Sequence, residues 1–360
     1  MRILHVITSL YNGGAERLMV DLLPRLCNDD KNEVELLLFN GVETIFKKEL
    51  LQRGIKIISL STTNDVYHPR RLLKLRSIIQ QYDIVHTHNT ACQLYVAIAS
   101  CLLHKKPLLV TTEHNSTNRR RAKAWLKPFD RWMYNRYAAI VCIAEQTRRN
   151  LINYIGNNNR LYTINNGVDV KRFIKPIGQV ANKHEFVVTM VAAFRPQKDF
   201  ETLLRAINSM PANYRLWIVG GGDRHEGERI KAYCTSLGLA KRVEFLGVRE
   251  DVPDILEKSD IVVLSSHWEG LSLSSIEGMA CGRPFVASDV DGLHDIVNGA
   301  GFLFPEGDEK ELANQIQYLC EHPDEYNQVA LRCQERARQY DISIMAKEYL
   351  GLYKELTINH

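Results

Sequence analysis

No apolar run in this 360-residue chain reaches the ~18–20 residues that a membrane-spanning helix needs. The nearest, residues 91–103, is interrupted by Gln93, Tyr95 and Ser100 and predicts a buried helix instead. Close cysteine pairs are missing too. The eight cysteines, at 27, 92, 101, 142, 234, 281, 320 and 333, never form C-x-x-C and mostly sit in apolar stretches, which suits reduced, buried thiols and gives no framework for structural zinc. Glycine and proline, at 21 and 11, are not in excess, so neither a disordered nor a fibrous chain is expected. Residues 1–8 pass into Ser9 and the pair Gly13-Gly14 without a small-residue cleavage site, and predict a first strand, not a signal peptide. The expected location is therefore the cytoplasm. Gly220-Gly221-Gly222 follows an apolar run as dinucleotide sites do, but the third glycine of G-x-G-x-x-G would fall at His225, so a dehydrogenase fingerprint is absent. The basic residues come with no nucleic-acid recognition module, and no nucleic-acid partner is expected.

What is present is enough for two cores, since single domains usually stop near ~100–200 residues. Short β-branched apolar runs at 3–8, 33–39, 56–60, 83–87, 108–112, 139–143 and 161–164 alternate with helical patterns. After Asn165-Asn166-Gly167 and a polar stretch to about His184, the alternation restarts at 187–193, 216–219, 243–246, 261–264 and 284–287. Continuous apolar runs spaced by one helix each predict parallel sheets covered on both faces. The predicted domains are 1–170 and 171–341. Beyond Pro305 the chain reads as helical and polar, and the segment from Ile342 has no partner strand. The net charge of +4 hides an asymmetry: residues 1–170 hold 24 Lys+Arg against 14 Asp+Glu, and residues 171–360 hold 22 against 28. A basic first half predicts an anionic ligand or surface there.

Ligands of parallel α/β sheets bind beyond the carboxyl ends of the strands, so the loops at those ends carry the argument. Gly13 and Gly14 lie between the first strand and a helix, where glycine lets helix-start amides approach a phosphate or a sugar, although a Gly-Gly pair is more often a plain turn. Arg195 and Lys198, in Phe194-Arg195-Pro196-Gln197-Lys198-Asp199, put two cations on one strand-to-helix loop. They can converge on a diphosphate, Arg as a fork and Lys as a point charge, or be ordinary surface charges. Glu269 and Glu277 flank Gly270, Leu271, Ser272 and Leu273, a loop that becomes a helix. The amides of 271–273 would face an anion, and Glu277, one turn in, would accept hydrogen bonds from ribose hydroxyls; the plain alternative is an acidic, solvated helix start.

In order along the chain, the Gly13-Gly14-Ala15-Glu16 loop, Arg195 to Lys198, Val219-Gly220-Gly221-Gly222-Asp223, Phe245-Leu246-Gly247 and the stretch from Glu269 through Glu277 to Asp289 resemble glycosyltransferase family 4, the retaining GT-B enzymes. The resemblance covers essentially the whole chain and is strongest over 186–304. It implies an α/β fold of two Rossmann-like parallel-sheet domains facing across a cleft, with the segment 342–360 packed back on the first. It also implies that Arg195 and Lys198 hold the diphosphate of a nucleotide-sugar donor and that Glu277 binds the ribose. Glu269 and the amides of Gly270, Leu271, Ser272 and Leu273 would meet the donor sugar and its phosphates, Val248 the base, with Gly13 and Gly14 closing from the other domain. His114, in Thr112-Glu113-His114-Asn115, would stand next to the reacting sugar, so the implied catalytic set is His114, Glu269, Arg195 and Lys198. In this family's mode the leaving phosphate takes the acceptor proton, and Arg, Lys and amide dipoles replace a metal. No cofactor beyond the nucleotide sugar is then expected, with UDP the first choice of nucleotide and GDP or ADP the alternatives. Ser272-Leu273-Ser274-Ser275 is more polar than in many relatives and Asp295 stands where Glu is frequent, departures that bear on the sugar's identity.

Two features stand beside the motifs. His86-Thr87-His88 can put two imidazoles on one side of a strand end and, with Glu113, offers metal-ligand chemistry; acceptor contact or plain packing is the preferred reading. Residues 119–136 carry seven Lys+Arg and one acid, and as a helix would gather Trp125, Phe129, Trp132 and Met133 on one face. Such a helix either lies on an anionic membrane or covers a sheet with its cations in water. The expected activity is retaining transfer of a hexosyl or N-acetylhexosaminyl unit to a glycan or lipid-linked acceptor of polysaccharide or cell-envelope synthesis, peripherally at the inner membrane face if that helix binds lipid. A nucleotide-sugar epimerase or hydrolase, or a non-catalytic binding subunit, are the alternatives.

Overall fold

The computed structural model describes residues 1–11, 13–27, 32–62, 68–114, 123–181 and 183–358. Contacts divide the chain into two compact units, Met1–Gly167 with Ile342–His360, and Val168–Asp341. The first seam falls within the polar stretch Asn165-Asn166-Gly167, where apolar runs give out.

In the first unit, β1 (Arg2–Ile7), β2 (Glu33–Asn40), β3 (Lys56–Ser61), β4 (Ile84–Thr87), β5 (Leu108–Glu113), β6 (Ala139–Cys142) and β7 (Leu161–Thr163) form one parallel sheet in the order β3-β2-β1-β4-β5-β6-β7. The helices between them are α1 (Gly14–Leu26), α2 (Ile45–Gln52), α3 (Arg70–Ile79), α4 (Thr90–Cys101), α5 (Lys127–Tyr134) and α6 (Glu145–Ile155). Both faces of the sheet are covered, which is why its strands read as unbroken apolar runs. Ile3 and Ile7 of β1 pack with α1 and the C-terminal helix (Ile342–Ile358), whereas Leu4 and Val6 pack with α3, α4 and α5. The C-terminal helix docks by Met345, Tyr349, Leu352 and Tyr353, a stripe at helical spacing. Each fully buried apolar side chain contributes roughly 1.5–3 kcal/mol. In the middle of that apolar face His5, His86 and Thr112, on the neighbouring strands β1, β4 and β5, form a buried polar stripe.

The second unit repeats the plan. Strands β8 (Phe186–Val191), β9 (Tyr214–Val219), β10 (Val243–Gly247), β11 (Ile261–Leu264), β12 (Phe285–Ser288) and β13 (Phe302–Phe304) form a parallel sheet ordered β10-β9-β8-β11-β12-β13. Its helices are α7 (Phe200–Ser209), α8 (Arg224–Ser236), α9 (Val252–Lys258), α10 (Leu273–Ala280), α11 (His294–Val297), α12 (Glu309–Glu321) and α13 (Pro323–Arg338). Strand β13 is not among the predicted runs: three residues between Gly301 and Pro305 are too short to show a period, and pairing with β12 makes the strand. Aspartates cap α7, α8 and α12, with Asp199 Oδ1 accepting from Thr202 N at 3.0 Å and Asp223 Oδ1 from Glu226 N at 2.9 Å.

Among the described residues no helix is long and apolar enough to cross a membrane, and most of the run 91–103 lies in α4, which is largely buried and ends at Cys101. Six cysteines are buried, Cys27 is half-buried, and Cys101, against expectation, is exposed at the end of α4. The basic segment 119–136 is described only from Lys123 onward; Arg119, Arg120 and Arg121 lie outside the described residues. Its described part is a 3₁₀ turn, Ala124–Leu126, followed by α5. Met133 turns inward with Asp130 and Tyr134, while Trp125 is 74% and Phe129 40% exposed. The expected four-residue face is thus split, because the inward stripe of α5 centres on Asp130 and Tyr134. Trp132 stacks on Phe129 at 5.6 Å, with the Arg136 guanidinium 5.2 Å from its ring.

Candidate active site

Each sheet reverses its strand order once, between β1 and β4 and between β8 and β11, and loops leaving such a pair open a crevice at their carboxyl ends. In the second unit those loops are sewn together. Asp199 N donates to Ser265 O at 3.2 Å, Ser265 Oγ to Asp199 O at 2.7 Å, His267 N to Gln197 O at 2.9 Å, and Gln197 Nε2 to Trp268 O at 2.8 Å. This zipper brings Lys198 onto Glu269: Nζ donates to Oε1, which also accepts from Ser266 Oγ at 2.8 Å. The two side chains are only 10% and 6% exposed. Lys198 N donates to Arg195 O at 2.9 Å, closing a turn whose other cation, Arg195, is exposed. One cation of the predicted pair is thus fixed and the other projects outward.

Helix α10 begins at Leu273 with Ser272 as its N-cap, so Gly270 and Leu271 belong to the preceding loop and the helix-start amides are those of Leu273 and Ser274, slightly later than sequence placed them. Ser272 Oγ is 3.1 Å from Ser274 Oγ and caps no amide. Glu277, one turn in, is half-buried. The loop is backed by Gly292, whose φ of 82° and a Cβ position 1.9 Å from Gly270 O admit glycine alone. The glycine run 220–222 has a comparable steric role. Gly220 and Gly222 both have φ of 140°, and Cβ atoms there would lie 2.1 Å from Ala192 O and 2.7 Å from Phe194 N, so the loops after β8 and β9 close backbone to backbone. Val248 follows β10, is 69% exposed and abuts Gly221.

In the first unit Gly13 is the N-cap of α1, with extended φ of −164° and no side-chain cap, and Gly14 is its first residue. His114 follows β5 and is partly exposed. Because alternate residues of a strand face opposite sides, Thr112 and His114 join the histidine stripe while Glu113 faces away. Glu113 Oε1 instead accepts from Gln93 Nε2 at 2.6 Å and Tyr134 Oη at 2.7 Å. The grouping of His86 and His88 with Glu113 is therefore corrected: their partner is His5. Among the described residues, His5, His86 and His88 are the one cluster with metal-ligand chemistry, their ligand atoms all within 4.8 Å of one another. Both ring nitrogens of each already face a hydrogen-bond partner. His5 Nδ1 is 2.8 Å from His88 Nε2 and His5 Nε2 3.4 Å from Tyr353 Oη; His86 Nδ1 is 2.5 Å from Tyr353 Oη and its Nε2 2.7 Å from Thr112 Oγ1; His88 Nδ1 is 3.1 Å from His114 Nε2. Burial lowers His5 to about 3, His114 to about 4, and His86 and His88 well below the usual imidazole range.

Residues 12–172 match the family described as Glycosyltransferase Family 4, and residues 185–322 the one described as Glycosyl transferases group 1. The chain belongs to glycosyltransferase family 4. It is similar to the UDP-Gal:alpha-D-GlcNAc-diphosphoundecaprenol alpha-1,3-galactosyltransferase of Escherichia coli, 30% identical over 66% of each chain. It is also 25% identical, over 99% of each chain, to a Campylobacter jejuni alpha-1,4-N-acetyl-D-galactosaminyltransferase acting on GalNAc-alpha-(1->4)-GalNAc-alpha-(1->3)-diNAcBac-PP-undecaprenol. Among solved structures, Anabaena HepE in complex with UDP and glucose superposes with a TM-score of 0.86 at 23% identity, covering 99% of this chain and 100% of that one. Sucrose-phosphate synthase from Thermosynechococcus elongatus gives 0.81 at 20%, covering 100% of both. This family 4 glycosyltransferase has the GT-B fold. Sequence reasoning passed over His5, Ser266 and the pair Tyr349/Tyr353. A signal for His5 was present, since one polar residue inside Ile3-Leu4-His5-Val6-Ile7 must find a buried partner.

Proposed function

We propose that this glycosyltransferase moves a hexosyl or N-acetylhexosaminyl unit, with retention, from a UDP-sugar to a lipid-linked acceptor, without a metal. The observation that carries the reading is the stitched pair of loops at the β8/β11 switch point, which combines Arg195, the Lys198–Glu269 pair, the uncapped start of α10 and Glu277. Bond breaking builds negative charge on the leaving diphosphate, and fixed donors aimed at that charge are the largest lever available. Arg195 and Lys198 supply cations, Leu273 and Ser274 supply amides at the positive end of a helix dipole, and Glu277 accepts from the ribose. Val248 borders the base. In the first unit His114 contacts the transferred sugar and the uncapped start of α1 at Gly13 and Gly14 faces the donor. The leaving phosphate accepts the acceptor proton, so no side-chain nucleophile is needed.

The donor reading draws support from a fold neighbour with bound UDP, and the acceptor reading from relatives named for undecaprenol diphosphates. A basic first half and the exposed Trp125 and Phe129 suit an enzyme that meets its acceptor at an anionic membrane surface on the cytoplasmic side. The test is a thermal-shift screen of UDP-, GDP- and ADP-sugars, followed by product analysis with and without a polyprenyl-diphosphate sugar. A ligand at 100 times its Kd adds ~2.7 kcal/mol to stability. Stabilisation by no nucleotide sugar, or release of free sugar regardless of acceptor, would overturn the proposal.

A further inference from the structure

The polar stripe of the first unit continues into a chain of rings with one end at His114. In order it runs Thr112 Oγ1, His86, Tyr353 Oη, His5, His88, His114, with separations of 2.7, 2.5, 3.4, 2.8 and 3.1 Å. Tyr349 Oη extends it past Thr112 at 2.9 Å. Its members come from β1, β4, β5, the loops just beyond β4 and β5, and the C-terminal helix, and His5, His86 and His88 are almost wholly shielded from water.

A neutral imidazole has one N–H and one lone pair, so each histidine that donates on one side must accept on the other. A row of such rings therefore has a polarity, and only two neutral arrangements satisfy every link and also use the proton of the buried Tyr353 hydroxyl, since a third, in which Tyr353 accepts from both histidines, strands that proton. Either Tyr353 donates to His86, so that His5 donates to Tyr353, His88 to His5 and His114 Nε2–H to His88; or every proton runs the other way. The hydroxyl of Tyr353 chooses between them because it has one proton and two histidine neighbours. An O–H donor makes shorter contacts than an N–H donor. The 2.5 Å contact to His86 against 3.4 Å to His5 assigns the hydroxyl proton to His86.

We propose that Tyr353, acting through His5 and His88, is a positioning residue that fixes His114 as the Nε2–H tautomer and leaves Nδ1 as the ring's acceptor. With that polarity His114 accepts a hydrogen bond from a sugar hydroxyl and does not donate one. This last step rests on the role of His114 in the proposed function; the tautomer does not. The depressed basicity of all four rings keeps them neutral near pH 7, as the one-proton-per-link rule requires.

The experiment is ¹⁵N NMR of histidine-labelled full-length protein, reading the two ring nitrogens of His114. Wild type is expected to show a protonated Nε2 and an unprotonated Nδ1. Tyr353→Phe removes the hydroxyl that orients the row, and His114 should then populate both tautomers, with kcat reduced about tenfold, the scale of one lost transition-state hydrogen bond. Tyr349→Phe, the same truncation on the same helix but beyond Thr112, should leave the tautomer of His114 in place. A protonated Nδ1 in wild type, or equal effects of the two substitutions, would overturn the proposal, as would a stoichiometric zinc ion bound by His5, His86 and His88. A tautomer that shifts in Tyr353→Phe without any change in kcat would instead uphold the relay and remove His114 from the sugar.

Discussion

Lys198 and Glu269 form a shielded ion pair between two loops that are 71 residues apart in sequence. The pair does two jobs, since it ties the loops after β8 and β11 and holds an ammonium where a diphosphate is proposed to bind. Lys198→Ala should therefore lose both, with turnover at least tenfold lower and stability reduced by about 1–3 kcal/mol as Glu269 is left with Ser266 alone. Arg195 is exposed and ties nothing comparable, so Arg195→Ala should lower turnover by a similar factor with stability changed by less than about 0.5 kcal/mol. Steady-state kinetics and urea unfolding of the two variants separate catalysis from architecture. Near-wild-type turnover in both would remove the clamp from the mechanism.

The proposed diphosphate site, with Arg195, Lys198 and helix-start amides in place of a metal, predicts metal-independent activity. Activity should survive prolonged EDTA treatment and should not rise on adding Mg²⁺ or Mn²⁺. Complete loss on chelation, restored by either ion, would return the His5/His86/His88 cluster to consideration as a metal centre.

The buried histidines also predict how stability depends on pH. His5 titrates at about 3 and His114 at about 4, with His86 and His88 lowered in the same direction, all by burial. In the unfolded chain each imidazole takes a proton near pH 6.5. Between about pH 6.5 and 4 the unfolded state thus binds more protons than the folded one, and stability falls as pH drops. The slope is about 1.4 kcal/mol per pH unit for each such histidine. His294, raised by Asp289 on the surface, acts in the opposite sense but is solvent-screened. Urea midpoints measured from pH 7.5 to 4.5 should fall steeply, and His86→Gln should flatten the slope by about one proton. Midpoints that do not move over this range would show that the four rings are not held neutral.

How much of this was legible beforehand varies with the range of the signal. The strands were readable because both sheet faces are covered, so runs such as Ile261–Leu264 are wholly apolar. That Arg195 and Lys198 stand on the loop after β8, and Glu269 and Glu277 on the loop after β11 and the helix it leads into, was readable from the strand pattern and an ordered set of motifs, but the Lys198–Glu269 pairing was not, because it depends on β11 lying beside β8. Strand β13 left no period in three residues. The histidine row was hidden for another reason: its members are spread over residues 5 to 353, and strand adjacency, not spacing, brings His5 and His86 together. Glu113 was misjoined because one step along a strand reverses the face, and sequence proximity to His114 suggested the wrong neighbour.

The last prediction concerns the membrane. Trp125 and Phe129 are exposed on the turn and start of α5, Lys127 and Arg131 lie on the same short helix, and the sequence before it adds Arg119, Arg120 and Arg121. Exposed aromatics beside cations are what an interfacial contact requires, the rings entering the headgroup region while each cation contributes ~1 kcal/mol near an anionic surface, falling off within a Debye length. Vesicle sedimentation should show binding to phosphatidylglycerol-containing but not phosphatidylcholine vesicles, and high salt should weaken it. Replacing Arg119, Arg120 and Arg121 with Ser should weaken binding chiefly at low salt, whereas Trp125→Ser with Phe129→Ser should weaken it at all salt concentrations, because apolar insertion is not screened. Turnover on a short, water-soluble acceptor analogue should be unchanged in both variants. Equal binding to both vesicle types would remove the cations from the contact, and no binding at low salt would mean that α5 turns its cations and aromatics only to water and that the acceptor is met in solution.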